Sequence, residues 1–226
     1  MRYAALVSAI VLTAPVGLRA QVTTVDEGSF TIYRGGASIG RETFTIRRDV
    51  NPGGDVFVAS GSVQLDDQHI MPALRTDAGG APLAYQVEVR TGSQVRERLS
   101  GQVGRGRFSA RVKTARGESA KEYIVSDGAL VLDDDVFHQY YFLALGNRTG
   151  TVPIIIPRRN VQLVMQVASS GTTPVTIGGD PISARHFTLT EPSGAVRQLW
   201  VDSKGRVLKV QLGAQGLTAV RDEPPR

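Results

Sequence analysis

Residues 28–48, GSFTIYRGGASIGRETFTIRR, hold two alternating runs around the pair Gly35-Gly36. Phe30 and Ile32 share one face of the first run. Phe44 and Ile46 share a face of the second, while Thr43, Thr45 and Arg47 take the other. A period of two marks a strand that buries one face and wets the other. A glycine pair between two such runs marks a tight turn. The stretch predicts a β-hairpin.

The same reading extends along the chain. Val56–Val63 and His69–Arg75 read as strands. Leu83, Tyr85, Val87 and Val89 alternate with polar neighbours, as do Phe108, Ala110 and Val112. Later runs are Thr151–Ile156, Val161–Ala168, Pro174–Ile177, Ile182–Thr190, Val196–Val201 and Val207–Leu212. Short turn signals separate them, among them Pro52-Gly53-Gly54, Gly79-Gly80, Gly178-Gly179-Asp180 and Ser203-Lys204-Gly205. Many short strands joined by tight turns predict a mainly β, antiparallel architecture, an open or flattened barrel. No composition break divides residues 21–226, which read as a single β-rich domain. The polar tail, Arg221–Arg226, is expected to fray.

One segment departs from this pattern. Asp133-Asp134-Asp135 precedes VFHQYYFLALGN, in which His138 and Gln139 alone are polar before Gly146. Aspartates suit a helix N-terminus, and Gly-Asn suits its end. Residues 133–146 are therefore expected to form one short helix. Being apolar nearly all round, it must be covered on most sides. It is expected on or in the concave face of the sheet, as a plug or a lid.

The chain has 226 residues, 41% of them apolar and 21% charged, and no cysteine. This composition excludes a disordered chain. The lack of cysteine excludes disulfides, Cys-ligated zinc, iron–sulfur clusters and a thiol nucleophile. Residues 1–20, MRYAALVSAIVLTAPVGLRA, have the charged start, apolar run and small-residue end of a secretory signal peptide, with cleavage after Ala20. Periplasmic or secreted localisation follows as an expectation, with no transmembrane segment. Removing Arg2 and Arg19 lowers the formal net charge from +5 to +3.

Three kinds of chemistry are open to such a chain. The histidines, His69, His138 and His186, have no metal-ligand spacing, and no metal or other cofactor is expected. His138 could act as a general base oriented by Asp133 or Asp134, or be a hydrogen-bonded core histidine beside helix-capping aspartates. The window Arg90–Arg116 holds eight basic side chains against Glu97 alone. Their phase opposes the apolar positions. If the strands are neighbours, Arg96, Arg98, Arg105, Arg107 and Arg111 share an outer face. That face would suit an anionic headgroup or an acidic protein, or would simply be solvated. Nucleic acid is not expected, since no aromatics interleave these arginines. Finally, a curved sheet can enclose an apolar pocket. The candidate lining is Phe44, Tyr85, Phe137, His138, Tyr140, Tyr141, Phe142 and Trp200. The alternative is that these residues fill a dry core.

The hairpin end Gly40–Thr45 (G-x-x-x-F-T) and the stretch Trp200–Val210 (W-V-D-x-x-G-R-x-L-K-V) carry a resemblance. With the export signal, they are similar to secreted bacterial β-proteins of unknown function with an open-barrel fold. Those resemble the lipoprotein-localisation-factor group, which carries acylated proteins in a half-barrel closed by helices. The chain departs from that group in having one expected helix rather than several. The resemblance implies a lipid or other apolar ligand held without catalysis. A cell-envelope interaction module using the arginine face is the alternative, and a hydrolase using His138 with a nearby aspartate is the third.

Overall fold

The computed structural model describes residues 21–226; the expected signal peptide lies outside the described residues. Fifteen strands form one sheet. The first eight are β1 (Gln21–Arg34), β2 (Ala37–Val50), β3 (Val56–Leu65), β4 (Gln68–Asp77), β5 (Pro82–Thr91), β6 (Gln94–Gly104), β7 (Arg107–Thr114) and β8 (Gly117–Ile124). After β9 (Leu130–Val131) and the interior segment come β10 (Gly150–Ile156), β11 (Val161–Ile177), β12 (Asp180–Thr190), β13 (Val196–Val201), β14 (Val207–Leu212) and β15 (Leu217–Arg221). Each of β1 to β7 pairs antiparallel with the strand that follows it, and so does each of β10 to β14. The two meanders join where β1 meets β15, from Phe30 opposite Arg221 to Arg34 opposite Leu217. Among the described residues only the β9–β10 pairing is parallel.

The expected hairpin forms, with Phe44 paired to Gly28 and Ile46 to Asp26. Phe30, Ile32, Phe44 and Ile46 are buried, whereas Thr43 and Arg47 are exposed. The alternation thus sets which face the sheet curls around. A β-bulge at Val25 shifts the register between Thr24 and Asp26. It brings Asp26 onto the inner face, a common use of a bulge.

The sheet is open, with β8 and β9 as its edges. One side chain bridges the seam near β8. The Gln162 amide donates to Ile124 O at 2.5 Å and accepts from Ile124 N at 3.1 Å, as a backbone peptide would. The Tyr123 hydroxyl donates across the same seam to Pro157 O and Asn160 Oδ1, both at 3.2 Å.

The expected helix is shorter than its sequence signal. A 3-10 turn, His138–Tyr140, leads into α1 (Tyr141–Leu145). The chain runs inside from Ala129, and every residue from Phe137 to Ala144 is buried. The segment is therefore a plug, covered by the wall on all sides, as an all-apolar helix requires. Phe57 packs against both Tyr141 and Phe142, with ring centroids 6.2 Å apart in each case.

Two further expectations are corrected. The C-terminal tail does not fray. Asp222 accepts from Ser29 Oγ and Thr31 Oγ1, both at 2.5 Å, and Arg206 donates to the carbonyls of Pro225 and Arg226. Val161–Ala168 and Pro174–Ile177 belong to one long strand, β11, whose register shifts between Ser169 and Thr172. Beyond that shift, Val175, Ile177, Ile182 and Ala184 cluster with Trp200 and Leu208, apart from the main core.

Candidate functional site

The plug is held by polar side chains, and the first comes from β2. Glu42 lies in the inward phase of its strand, in line with Phe44 and Ile46, and is fully buried. Its Oε2 accepts from the Phe137 N–H at 2.8 Å and its Oε1 from the His138 N–H at 3.4 Å. The same Oε1 meets His138 Nδ1. Glu42 thus caps the start of the plug helix, where orphan backbone donors need an acceptor. The aspartates do not, since the turn has no side-chain cap of its own. On β3, opposite Phe44, Gly61 makes room for the His138 ring: a Cβ there would lie 2.9 Å from His138 Cε1.

The three aspartates instead anchor the plug to arginines. Asp133 Oδ2 accepts from the Tyr85 hydroxyl at 2.7 Å and from Arg158 Nε at 2.9 Å. Arg158 also donates to Asp134 O and lies 3.5 Å from Asp135. Asp134 lies 3.6 Å from both Arg159 and Arg197. Arg197, buried in β13, makes a two-nitrogen contact with Glu191 Oε1 at 2.9 and 2.7 Å and donates to the Tyr140 hydroxyl at 2.9 Å. Burial, and then the Asp133 charge, push the Tyr85 phenol well above its ordinary range. Burial also raises Tyr140, against the pull of Arg197.

His138 therefore has a carboxylate partner, but not the expected one. Glu42, 96 residues away in sequence, takes the place of Asp133 or Asp134, which are engaged elsewhere. The imidazole is fully buried, and its Nε2 has no protein hydrogen-bond partner. A hydrolytic base needs contact with a substrate, and this ring is screened by the wall.

Phe44, Tyr85, Phe137, His138, Tyr140, Tyr141 and Phe142 come together in one interior cluster, none more than 5% exposed. Trp200 does not join them. Its neighbours Leu199 and Val201 occupy the main core, so the alternation of β13 turns the indole to the opposite face. There it stacks on His186, centroids 4.5 Å apart, under Lys209 Nζ at 4.7 Å.

The interior cluster meets an open cleft at Phe44. The cleft has a volume of about 540 Å³ and lies between Thr24–Ser29, Phe44–Thr45 and the tail residues Glu223, Pro224 and Arg226. Its floor is held by a buried ion pair. Arg221 donates to Asp26 Oδ1 at 2.8 Å and Oδ2 at 3.0 Å, and to Glu27 O at 2.6 Å. The guanidinium sits 5.3 Å from the centre of the Phe44 ring. Gly28 lets it approach, since a Cβ would meet Arg221 Nη2 at 2.9 Å. Phe44 stacks with Phe30 at 5.1 Å and with His138 at 5.7 Å.

The arginines share the outer face of neighbouring strands. Arg98 stands opposite Lys113, and Ser100 opposite Arg111. Arg96, Arg98, Arg107 and Arg111 are exposed there, and Arg105 sits in the β6–β7 turn with a positive φ of 51°. Neighbouring strands supply some counter-charge. Glu88 accepts from Arg90 and Arg98, Glu122 from Arg107, and Glu118 lies 3.5 Å from Arg111.

Sequence reasoning missed Glu42, Asp26, Arg197 and Arg221. Each carried a signal, being a charged side chain in the apolar phase of its strand. Arg158 and Gln162 carried none, because turn geometry and seam contacts place them.

Sheet, seam and interior plug define an open, β-barrel-like protein. Among solved structures, the chain is similar to a β-barrel-like protein of the domain of unknown function DUF1849 from Brucella abortus. The two share 8% identity over 90% of this chain and 97% of that one, with a TM-score of 0.51. A DUF1089 family protein from Pseudomonas aeruginosa matches 88% of this chain and 95% of its own, at 15% identity and a TM-score of 0.38. No family model matches the chain, and no curated protein matches it in sequence. The likeness to the Brucella abortus protein is one of fold. Among the described residues, no helix is long and apolar enough to cross a membrane.

Proposed function

We propose that this is an exported, periplasmic protein that binds a lipid or other apolar ligand without catalysis, at the cleft that ends on Phe44. The observation that carries the reading is the cleft itself. Its volume of about 540 Å³ suits a small-molecule ligand. Phe44, an aromatic side chain of the interior cluster, is among the residues that line it. An acyl chain would lie against Phe44, Val25 and Pro224, and the threonines and charged groups at the rim would face its polar end. The open-barrel resemblance to the lipoprotein-localisation-factor group supports the same ligand class. The signal-peptide pattern of residues 1–20 supports export.

Organic extraction of the purified protein followed by mass spectrometry tests the reading, together with fluorescence of the apolar dye N-phenylnaphthylamine. We expect a co-purifying apolar molecule and saturable dye binding. Thr24→Trp, at an exposed position of the rim, should fill the cleft and abolish dye binding while the fold is kept. No extracted ligand and no dye binding, or equal dye binding by Thr24→Trp, would overturn it.

A further inference from the structure

The distribution of charge over the sheet is uneven. Residues 82–124, strands β5–β8 with the turns between them, carry nine Arg and Lys side chains against four Glu, a net +5. Residues 21–226 together carry +3, so the remainder carries −2. The positive excess therefore belongs to one quarter of the sheet.

Its placement is two-sided by design of the strands. Leu99, Phe108, Ala110 and Val112 turn inward to the core, and this phase sends Arg96, Arg98, Arg107 and Arg111 outward. Arg98 and Lys113 face each other directly across β6 and β7. Like charges directly opposite destabilise a sheet pair. The local glutamates offset this only in part. The ion pairs they make are exposed, with Arg107 and Arg111 side chains 59% and 80% accessible. Such pairs are weak and exchange readily with other anions. The cleft that ends on Phe44 lies elsewhere, along β1, β2 and the C-terminal tail.

We propose that the outer face of β5–β8 docks on an anionic lipid surface. Charge complementarity selects the partner. The guanidinium forks stand on the convex side of the sheet, spread over the three strands β5–β7, or about 10 Å from first to last. A dispersed array of this kind fits a plane of headgroup phosphates, which arginine can grip with two nitrogens at once. It offers no concave pocket for one small anion. Ile124, 60% exposed and opposite Arg107 at the β8 edge, adds an apolar contact at the same face. This inference is independent of the ligand cleft, since none of its residues line that space.

Vesicle co-sedimentation of the chain 21–226 tests it. Vesicles of phosphatidylcholine mixed with phosphatidylglycerol should bind the protein at low salt, and pure phosphatidylcholine vesicles should not. Binding should fall steeply as salt rises. The triple variant Arg96→Glu, Arg107→Glu, Arg111→Glu should lose about 100-fold or more in partitioning. Arg47→Glu, an exposed change on β2, should bind as the parent does. Circular dichroism confirms that the variants fold. Failure to bind the anionic vesicles at low salt, equal binding to neutral ones, or full binding by the triple variant overturns the proposal. Binding to an acidic polypeptide without binding to the anionic vesicles overturns it as well and assigns the face to a protein partner.

Discussion

Glu42 on β2 caps the plug helix and grips the His138 ring across 96 residues of chain. Wall and plug are thereby joined by a fully buried carboxylate rather than by apolar contact alone. Removing one partner of a buried polar pair leaves the other uncompensated. Glu42→Leu should cost about 3–5 kcal/mol in urea denaturation. Glu42→Gln should cost clearly less, because its amide oxygen still accepts from the Phe137 N–H. Equal losses for the two variants would show that the capping bonds contribute nothing.

The phase of the opening hairpin has its own test. Phe44 is buried between Phe30 and His138, whereas Arg47 is exposed. Phe44→Ala should cost about 3–5 kcal/mol. Arg47→Ala should stay within about 0.5 kcal/mol of the parent protein. Comparable costs at the two positions would contradict the inward and outward assignment.

Three plug and wall tyrosines predict an alkaline limit to stability. Burial raises Tyr85 and Tyr140, and it pushes Tyr141 up to about 12. In the unfolded chain each loses its proton near pH 10. Above that pH the folded state holds more protons than the unfolded one, so unfolding releases protons and stability falls as pH rises. Below about pH 9 the three groups are protonated in both states and contribute no slope. Denaturation midpoints should be flat in this respect to pH 9 and decline beyond pH 10. Tyr141→Phe should make that decline shallower. An alkaline slope unchanged by the substitution would count against this cause.

The seam is tested at one side chain. Gln162 both donates to and accepts from the backbone of Ile124. Gln162→Glu keeps the acceptor but has no donor at neutral pH, and it repels the Ile124 carbonyl. Amide exchange at Ile124 should speed up severalfold, while exchange within β1–β2 stays unchanged. Unaltered exchange at Ile124 would show that the seam is held elsewhere.

Much of the scaffold was legible in sequence, because a half-buried sheet writes its phase into each strand. Phe30, Phe44 and Phe108 all point inward as their alternation requires. The plug was legible as a segment too apolar for a surface helix. Its anchoring was not. Asp133 to Asp135 look like caps locally, and only the fold brings Arg158 and Arg197 to them. Trp200 shows the reverse limit. An aromatic residue reads as interior, but its strand phase sends it to the other face, where the β11–β12 hairpin covers it. That cover depends on a register shift in β11 which alternation does not announce.

The most direct measurement is a two-dimensional amide NMR titration with lysophosphatidylcholine, a neutral lipid with one acyl chain. Saturable shifts should gather at Thr24–Ser29, Phe44, Thr45 and Arg221, and Thr24→Trp should remove them. The outer strands β5–β8 should be silent, since this lipid carries no net charge. Absence of saturable shifts, or shifts centred on the Trp200 cluster, would contradict a ligand site at the Phe44 cleft.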